Sequence, residues 1–442
     1  MLPACRTAGN GFAIPTFDLT PGDVAGFVDE LQEFQGLFHD CFPRSETRAH
    51  FFDYMVGQLR PLERKSIEPI ALQVPGGNVR GLQRFLSEVV WDEEQMRWNY
   101  HQIVADEMGA PDGVLMFDET GFVKKGQDSV GVARQYCGTL GKVENCQVGV
   151  FAGYASRQGY ALVDQRLFLP EAWFTDPYAA RRRKCNVPPE LTFQSKPQLA
   201  ATMLQAIARE GLLPFKYLVA DCLYGNSPDF LDAIDACVGV TAFVAIPADT
   251  RCWLQAPRTT HQTYTYKGEV RSKRVVGAAA PAPSSVAALA ASLPASRWYQ
   301  RTVSEGTKGS IRYAFARQRV TLCKEGLPER PVWLVIKRSG GVEPTYSYYM
   351  SNAPVSTSLR TFVWLSGLRW AVEQCFAEGK TELGMDHYEV RKYAGWHHHM
   401  LLTMLAHFFL WHLKLHVGKK SSRVNGVASA EVTGSGVTLA DI

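Results

Sequence analysis

The spacing of apolar residues is helical through the first hundred positions. Val24, Phe27 and Leu31 repeat at intervals of three and four, which is the pattern of one buried helical face. The interval recurs in later stretches, and Asp92 stands where the N-cap of the last helix is expected. We therefore predict a helical domain over residues 20–108, in which the last two helices form either a DNA-binding helix-turn-helix or an ordinary helical hairpin.

From Gly113 onward the pattern changes to short, continuous apolar runs that alternate with helical stretches. Such runs are typical of strands buried on both faces, and the alternation is typical of an α/β fold. The predicted strands cover residues 114–117, 146–151, 160–168, 217–220, 242–246, 332–336 and 346–350. The predicted helices cover 196–210, 227–237, a stretch around residue 373, and 396–416.

Charge is concentrated in one segment of the chain. Between Arg251 and Arg330, fourteen Lys or Arg stand against four Glu, a net charge of +10 in a chain whose total is +4. This is expected of a surface that binds a polyanion. The Ala/Pro/Ser-rich residues 277–296 predict a loose loop within it. The predicted layout is a flexible N-terminus (1–19), the helical domain (20–108), an α/β core in two parts (109–250 and 331–416), a basic insertion between them (251–330) and a disordered tail (417–442).

The sequence lacks the marks of export or membrane insertion. No basic stretch followed by an apolar run opens the chain, and no segment approaches eighteen consecutive apolar residues. The ten cysteines include no Cys-x2-Cys pair, which disfavours a zinc ribbon or a disulfide framework. We expect a cytoplasmic protein without membrane association.

Three acidic residues stand where a metal site can form. Asp118 and Asp221 each follow a buried apolar run and are therefore expected to end strands, and Glu373 lies on a predicted helix as Arg369-x3-Glu373-x6-Lys380. At about 100° per residue, the three helical residues fall within roughly 40° of one stripe. They could therefore face one ligand together.

Two other acids lie on the same predicted helix as Glu373. Glu378 and Glu382 follow it by five and nine residues, which turns them about 140° and 180° around the helix. Both are expected to face solvent. The spacing therefore favours Glu373 as the helical member of the site.

Three carboxylates suit metal-dependent cleavage of a phosphodiester. Two Mg²⁺ ions about 3.5–4 Å apart activate the attacking oxygen and stabilise charge on the leaving oxygen, and Mg²⁺ prefers hard oxygen ligands. We expect two Mg²⁺, for which Mn²⁺ can substitute, at Asp118, Asp221 and Glu373. Arg369 and Lys380 are expected to contact phosphates of the scissile strand.

Further basic residues are candidates for DNA contacts, with solvated loops as the alternative interpretation. They lie just past Asp118, in a basic run predicted to be a loop, and in the basic insertion. They are Lys124, Lys125, Arg181, Arg182, Arg183, Arg271, Lys273 and Arg274.

Three segments resemble one known family. Residues 117–147, which begin Phe-Asp-Glu-Thr-Gly-Phe, resemble the first-aspartate region of the DDE transposases of the 701 group of bacterial insertion sequences. Residues 220–225 resemble the second-aspartate motif, and residues 369–373 resemble the glutamate helix. The resemblance runs from about residue 30 to residue 410. In one departure, relatives have tyrosine three residues before the arginine, where this chain has Ser366.

The resemblance implies an RNase H-like catalytic core with a β-rich insertion before the glutamate helix, and Asp118, Asp221 and Glu373 as metal ligands. It further implies DNA strand cleavage and transfer at the inverted terminal repeats of an insertion sequence. The partners would be double-stranded DNA of the transposon ends and target and, by analogy, a second copy in a synaptic homodimer, on the nucleoid of a bacterium. Two alternatives stay open: an inactive or domesticated relative that only binds DNA, and an RNase H-like nuclease that does not transpose.

Overall fold

The computed structural model of the protein describes residues 21–74, 76–306 and 309–424. Its α-helices are α1 (Pro21–Gly36), α2 (Ser45–Leu59), α3 (Ile67–Gln73), α4 (Val79–Ser87), α5 (Glu93–Met108), α6 (Ala179–Lys184), α7 (Lys196–Glu210), α8 (Cys222–Gly225), α9 (Pro228–Ala236), α10 (Val286–Ser292), α11 (Leu359–Leu383) and α12 (Tyr393–Val424). Its strands are β1 (Val114–Val123), β2 (Ala133–Cys137), β3 (Lys142–Ala155), β4 (Tyr160–Phe168), β5 (Tyr217–Ala220), β6 (Thr241–Ile246), β7 (Arg251–Trp253), β8 (Thr259–Tyr266), β9 (Glu269–Val276), β10 (Ser284–Ser285), β11 (Tyr299–Gly306), β12 (Gly309–Lys324), β13 (Leu327–Arg338) and β14 (Tyr346–Ser351).

The chain divides into two compact units. Residues 216–369 form the central unit, and the described residues before 216 and after 369 form the terminal unit. The N-terminal segment 1–19 and the tail beyond Val424 lie outside the described residues. The tail was predicted to begin at residue 417, but α12 continues to Val424. Since no proline interrupts these residues, the backbone hydrogen bonds of the helix can continue through a polar sequence.

Helices α1 to α5 of the terminal unit occupy the stretch predicted to be helical, and that prediction is confirmed. Asp92 caps α5, as expected, by accepting a hydrogen bond from the backbone N–H of Gln95 at 2.9 Å. The Trp91 ring, which precedes this cap, stacks on the His398 ring of α12 with centroids 3.8 Å apart. The connection between α4 and α5 is therefore packed against α12.

The terminal unit has an antiparallel sheet centred on β3, which pairs with β1, β2 and β4. Helices α11 and α12 cover one face of it closely. A Cβ atom added at Gly149 of β3 would lie 2.9 Å from Cζ2 of Trp396 on α12, and one at Gly153 would lie 3.6 Å from Cγ2 of Val372 on α11. The fully buried Trp396 ring is part of this core.

Strand β1 is longer than its apolar run, so the prediction that Asp118 ends a strand is wrong. Its pairing with β3 continues from Val114 opposite Ala155 to Val123 opposite Cys146, which places Asp118 in mid-strand. The ladder joins backbone groups and continues past the apolar residues once the two strands are in register. Asp221 does follow the end of β5, as predicted.

The central unit is built on a mixed sheet with strand order β10-β7-β12-β13-β14-β6-β5, and β11 pairs with β12. Strands β5 and β6 are parallel, and the other pairs are antiparallel. Strands of the basic segment thus continue the same sheet as β13 and β14. The α/β class predicted from the alternation of apolar runs is confirmed.

Residues 277–296 were predicted to form a loose loop, and this is wrong for much of the stretch. They contain β10 and α10, whose Val286 and Leu289 are buried. The side chain of Ser285 caps α10 by accepting a hydrogen bond from the Ala288 N–H at 3.1 Å. Alanine is the strongest helix former, and a capped alanine-rich run therefore folds as a helix.

Candidate active site

Asp118 is a buried carboxylate on the face of β1 that α11 covers. Its side chain is 7% exposed, and its Oδ1 accepts a hydrogen bond from the Glu119 N–H at 2.9 Å. Directly across the ladder lies Phe151 of β3, on the same face. Desolvating a carboxylate is costly, so an acid in this core position is typical of a functional group.

Helix α11 runs along β1 with matched spacing. Contacts four residues apart on the helix reach positions two residues apart on the sheet, because four helical residues rise about 6 Å and two strand residues about 6.7 Å. Val372 lies over Gly153, which pairs with Met116. The Phe376 ring lies 5.3 Å from the ring of Phe151, which pairs with Asp118. Lys380 Nζ lies 2.8 Å from Oγ1 of Thr120.

Glu373 is related to Asp118 through their neighbours on α11 and β1. It precedes Phe376 by three residues, about 4.5 Å along the helix axis, and Phe376 contacts Phe151, the residue opposite Asp118. Glu373 is exposed, while Val372 and Phe376 on either side of it are buried. The helix therefore presents Glu373 on the open flank of the contact that covers Asp118.

Lys380, predicted to bind phosphate, has protein acceptors for its ammonium group. Its Nζ donates to Thr120 Oγ1 at 2.8 Å, to Gly121 O at 3.0 Å and to Thr139 Oγ1 at 3.1 Å. An ammonium has three N–H donors, and all three are directed at the strand side of the site. Burial lowers the pKa of Lys380, and the charge of Asp386 opposes that shift. Lys380 therefore ties α11 to β1.

Glu378 was expected to face solvent, and this is wrong. It is 6% exposed and accepts hydrogen bonds from Tyr160 Oη at 2.7 Å, Gln374 Nε2 at 2.9 Å and His407 Nε2 at 2.7 Å. Burial by itself raises the pKa of Glu378. The hydrogen bonds and the charge of His407 lower this pKa by a larger amount, so the net shift is downward. Strand β4 and helix α12 pack against α11 on the side of Glu378. The spacing of residues along α11 does not by itself show that this side is buried. Glu382 is exposed, as predicted.

Asp221 belongs to the central unit, where it caps the short helix α8. Its Oδ1 accepts hydrogen bonds from the backbone N–H groups of Leu223 at 2.8 Å and Tyr224 at 3.4 Å. A Cβ atom at Gly225 would lie 2.1 Å from the carbonyl oxygen of Ala245, so only glycine fits where α8 meets β6. The motif of residues 220–225 thus fixes the backbone that carries Asp221.

Arg369, on α11, is the last residue of the central unit. It is half-buried. Burial raises the pKa of Tyr349 on β14, and the positive charge of Arg369 opposes part of that rise. Ser366, where relatives have tyrosine, donates its hydroxyl to the carbonyl oxygen of Val363 at 2.7 Å. The Ser366 side chain therefore makes a hydrogen bond within α11.

The two lysines after β1 differ in their surroundings. Lys124 Nζ lies 3.4 Å above the Tyr388 ring and donates to the Tyr388 carbonyl oxygen at 3.0 Å. Burial lowers the pKa of Lys124 to about 8, with the carboxylate of Asp386 opposing the shift. Lys125 is exposed. The structure therefore leaves Lys125 as the more accessible of the two.

The basic run at 181–183 was predicted to be a loop, but it lies in the short helix α6. Its first two side chains are used locally. The Arg181 guanidinium lies 5.0 Å from the Trp173 ring centroid, and Arg182 Nη1 donates to the Trp173 carbonyl oxygen at 2.5 Å. Arg183 is exposed. A helix forms because neither glycine nor proline falls within residues 179–184.

Strands β8 and β9 form a two-stranded hairpin outside the larger sheet, the basic hairpin (Thr259–Val276). Nearly all of its residues are exposed. Tyr264 and Tyr266 are 41% and 50% exposed. Cations of the opposite strand lie over these rings, with Lys273 5.5 Å from the Tyr264 centroid and Arg271 5.1 Å from the Tyr266 centroid. Arg274 donates to the Thr259 hydroxyl at 3.1 Å. The basic hairpin thus offers cations and aromatic faces together.

The chain matches a known protein family, a known sequence and a solved structure. The family model described as DDE superfamily endonuclease matches residues 37–310. A protein of Microchaete diplosiphon, named probable transposase for insertion sequence element IS701, is 26% identical over 379 residues, which cover 84% of this chain and 85% of the relative. A chain of the piggyBac transposase synaptic complex with hairpin DNA, determined by cryo-EM, matches at 8% identity and a TM-score of 0.40, covering 90% of this chain and 76% of that one. A TM-score this low does not establish a shared fold.

The helices also bear on membrane insertion. Along the described residues, none combines the length and the apolar character needed to cross a membrane.

Proposed function

The chain belongs to the DDE superfamily endonucleases, and from that premise we propose that it is an insertion-sequence transposase whose metal ligands are Asp118, Asp221 and Glu373. The enzyme class predicted from the sequence is thereby confirmed, and the probable transposase of Microchaete diplosiphon matches over most of both chains. The observation that supports the site assignment is the spacing of α11 on β1, in which Phe376 contacts β3 at the level of Asp118, Lys380 contacts β1 two residues further on, and Glu373 lies on the same helix. Asp221 enters the proposal through its motif at the end of β5.

A divalent metal is required by this family of endonucleases, and the donor set fits one. Three carboxylates supply only oxygen ligands, which Mg²⁺ prefers, and burial of Asp118 makes a compensating cation favourable. We propose two Mg²⁺ ions, replaceable by Mn²⁺. When bound, they supply an activated nucleophile and stabilise charge on the attacking and leaving oxygens.

The protein's own contribution is to hold these carboxylates in place. Lys380 fixes α11 against β1, and the backbone N–H groups of Leu223 and Tyr224 fix the Asp221 side chain. In cleavage, a water oxygen bonds to phosphorus as one bridging P–O bond breaks. One proton of the water goes to the leaving oxygen, which becomes a hydroxyl end, and the other is released to solvent as the new phosphate end ionises. In strand transfer, that hydroxyl replaces the water.

We further propose where DNA binds. The basic hairpin offers Arg271, Lys273 and Arg274 with two exposed tyrosines, a combination that suits phosphate contacts and base stacking. Lys125 and Arg183 are exposed and join this set. Arg369 remains a candidate phosphate contact, whereas the donors of Lys380, Lys124, Arg181 and Arg182 have protein partners.

We also propose how the domains of the chain are organised and how it assembles. The antiparallel strands β1, β3 and β4 followed by the parallel pair β5 and β6 support an RNase H-like core, with the helices of residues 20–108 as a DNA-binding domain and residues 251–330 as a β-rich insertion. Two transposon ends must be joined during transposition, which supports a synaptic homodimer. Double-stranded DNA of the bacterial nucleoid is the proposed substrate and target.

The test uses the full chain, Mg²⁺ or Mn²⁺, and DNA that carries the ends of the element. Asp118→Asn, Asp221→Asn and Glu373→Gln should each lower cleavage at least a thousandfold while DNA affinity and thermal stability persist. Glu382→Gln, an exposed acid on the same helix, is the matched control and should cleave normally. Unchanged cleavage by Asp221→Asn would refute the assignment.

Two further outcomes identify the alternatives. Wild-type protein that binds the ends without cutting them would indicate a relative that has lost catalysis. Cleavage without joined strand-transfer products would indicate a nuclease that does not transpose.

A further inference from the structure

Two histidines and a glutamate meet where α5 and α12 pack in the terminal unit. Nitrogen or carboxylate atoms of Glu107, His412 and His416 all lie within 4.8 Å of one another. His412 Nδ1 is 2.5 Å from Glu107 Oε1, and His412 Nε2 is 3.2 Å from His416 Nδ1. Glu30 of α1 adds a second carboxylate, with Oε2 3.8 Å from His412 Nε2. Three helices distant in sequence therefore supply one cluster.

The helical spacing explains the pairing of the histidines. His412 and His416 are four residues apart on α12 and therefore lie on one face of the helix, one turn apart. The rings contact edge to face, with centroids 4.1 Å apart. Helix α12 thus places two imidazole nitrogens 3.2 Å apart, beside the carboxylate of α5.

The charge balance around His412 favours a cation. Two carboxylates flank this ring, and the His412 side chain is 11% exposed. Among the described residues, Oε2 of Glu107 is a buried oxygen without a hydrogen-bond partner. A buried acceptor without a hydrogen-bond partner destabilises the folded chain. A bound cation would remove that destabilisation.

We propose that Glu107, His412 and His416 bind a divalent cation of the Zn²⁺ type, with Glu30 beside it. Zn²⁺ takes imidazole nitrogen and carboxylate oxygen as ligands, and bonds of 2.0–2.1 Å place two ligands of a tetrahedral ion about 3.3 Å apart. The gap between the two histidine nitrogens, 3.2 Å, matches that spacing. The ion joins α5 to α12, with α1 beside them, and stabilises the folded chain because the unfolded chain lacks the preformed site.

This site differs in chemistry from the carboxylate site proposed for catalysis. A mixed nitrogen and oxygen set selects Zn²⁺ or a related transition metal, whereas an all-oxygen set suits Mg²⁺. The two can therefore be loaded and removed separately, and the inference does not rest on the proposed function.

The experiment measures Zn²⁺ on the full chain after chelation, dialysis and addition of Zn²⁺ alone. Wild-type protein and a variant with Asp118→Asn, Asp221→Asn and Glu373→Gln should each retain one equivalent of tightly bound Zn²⁺, and Zn²⁺ should raise the Tm of both. His416→Ala in either background should lose that equivalent, with affinity lowered at least a hundredfold. His261→Ala, which removes an exposed histidine of the basic hairpin, is the matched control and should change nothing.

A second variant guards against a folding defect. Glu107→Gln keeps the shape of the side chain and should weaken Zn²⁺ binding at least tenfold while the metal-free Tm stays within a few degrees of wild type. Retention of the full equivalent by His416→Ala, or absence of bound Zn²⁺ from wild-type protein, would overturn the site. Loss of Zn²⁺ only on substitution of the three acidic residues would also overturn it, because the ion would then belong to the carboxylate site.

Discussion

Replacement of Lys380 by methionine separates a positioning role from a role in DNA binding. The ammonium makes three hydrogen bonds, to Thr120, Gly121 and Thr139, and each bond with a charged donor contributes about 1.5–3 kcal/mol. Burial, which lowers the pKa of Lys380, offsets part of this sum. A net loss of about 2–4 kcal/mol in the docking of α11 on β1 remains. At about 1.4 kcal/mol per factor of ten, cleavage of bound DNA should fall about 30-fold or more.

The assay measures the cleavage rate at saturating DNA and, separately, the dissociation constant of the DNA complex. Lys380→Met should lower the rate and leave the dissociation constant within about twofold of wild type. Lys125→Met is the matched control, because Lys125 is an exposed lysine just past the end of β1, and it should weaken binding without slowing cleavage. The reasoning is refuted if Lys380→Met weakens DNA binding and leaves the saturated rate unchanged.

Three further predictions concern DNA binding, packing and pH. Replacing the three basic residues of β9 in the basic hairpin by alanine should reduce the slope of log affinity against log salt by about 2–3 without changing the Tm, and an unchanged slope would exclude the hairpin from the DNA interface. Glu378→Gln should lower the free energy of unfolding by about 2–4 kcal/mol, measured by urea denaturation against Glu382→Gln, and equal stability of the two variants would contradict the packing described for Glu378. Burial lowers the pKa of His399 from 6.5 to about 3, so the stability that neutral His399 provides is present above pH 6.5 and is lost as pH falls toward 3, at about 1.4 kcal/mol per pH unit. In urea titrations between pH 6 and pH 4, His399→Gln should reduce the pH slope by that amount, and an identical slope in both proteins would show that His399 does not titrate as its burial requires.

The elements that the sequence predicted best are those whose signal is local. Strands 160–168 and 217–220 and helix 196–210 have the predicted bounds, because apolar runs and the cap at Ser195 define them within a few residues. Ser195 forms a capping box with Gln198, which fixes the start of α7.

The errors come from contacts made by residues far away in sequence. Asp118 lies in mid-strand because β3 pairs with β1 past the apolar run, and Glu378 is buried because His407 and Tyr160 reach it from α12 and β4. No local pattern contains that information. The motif resemblance did select the acidic residues, but the tie from Lys380 to β1 that aligns the glutamate helix could be seen only in the structure.

The basic hairpin, which is proposed to contact DNA, can change in sequence at little cost to the stability of the fold. Its strands contribute no buried side chain, and only Thr259 at the start of β8 and Val275 and Val276 at the end of β9 are half-buried. Substitutions along it therefore cost little stability, unlike substitutions on β1 or α11, where packing and alignment are coupled. Variation in the basic hairpin can accumulate without loss of the folded enzyme, so the DNA contacts proposed for it can differ between related transposases while β1 and α11 stay the same.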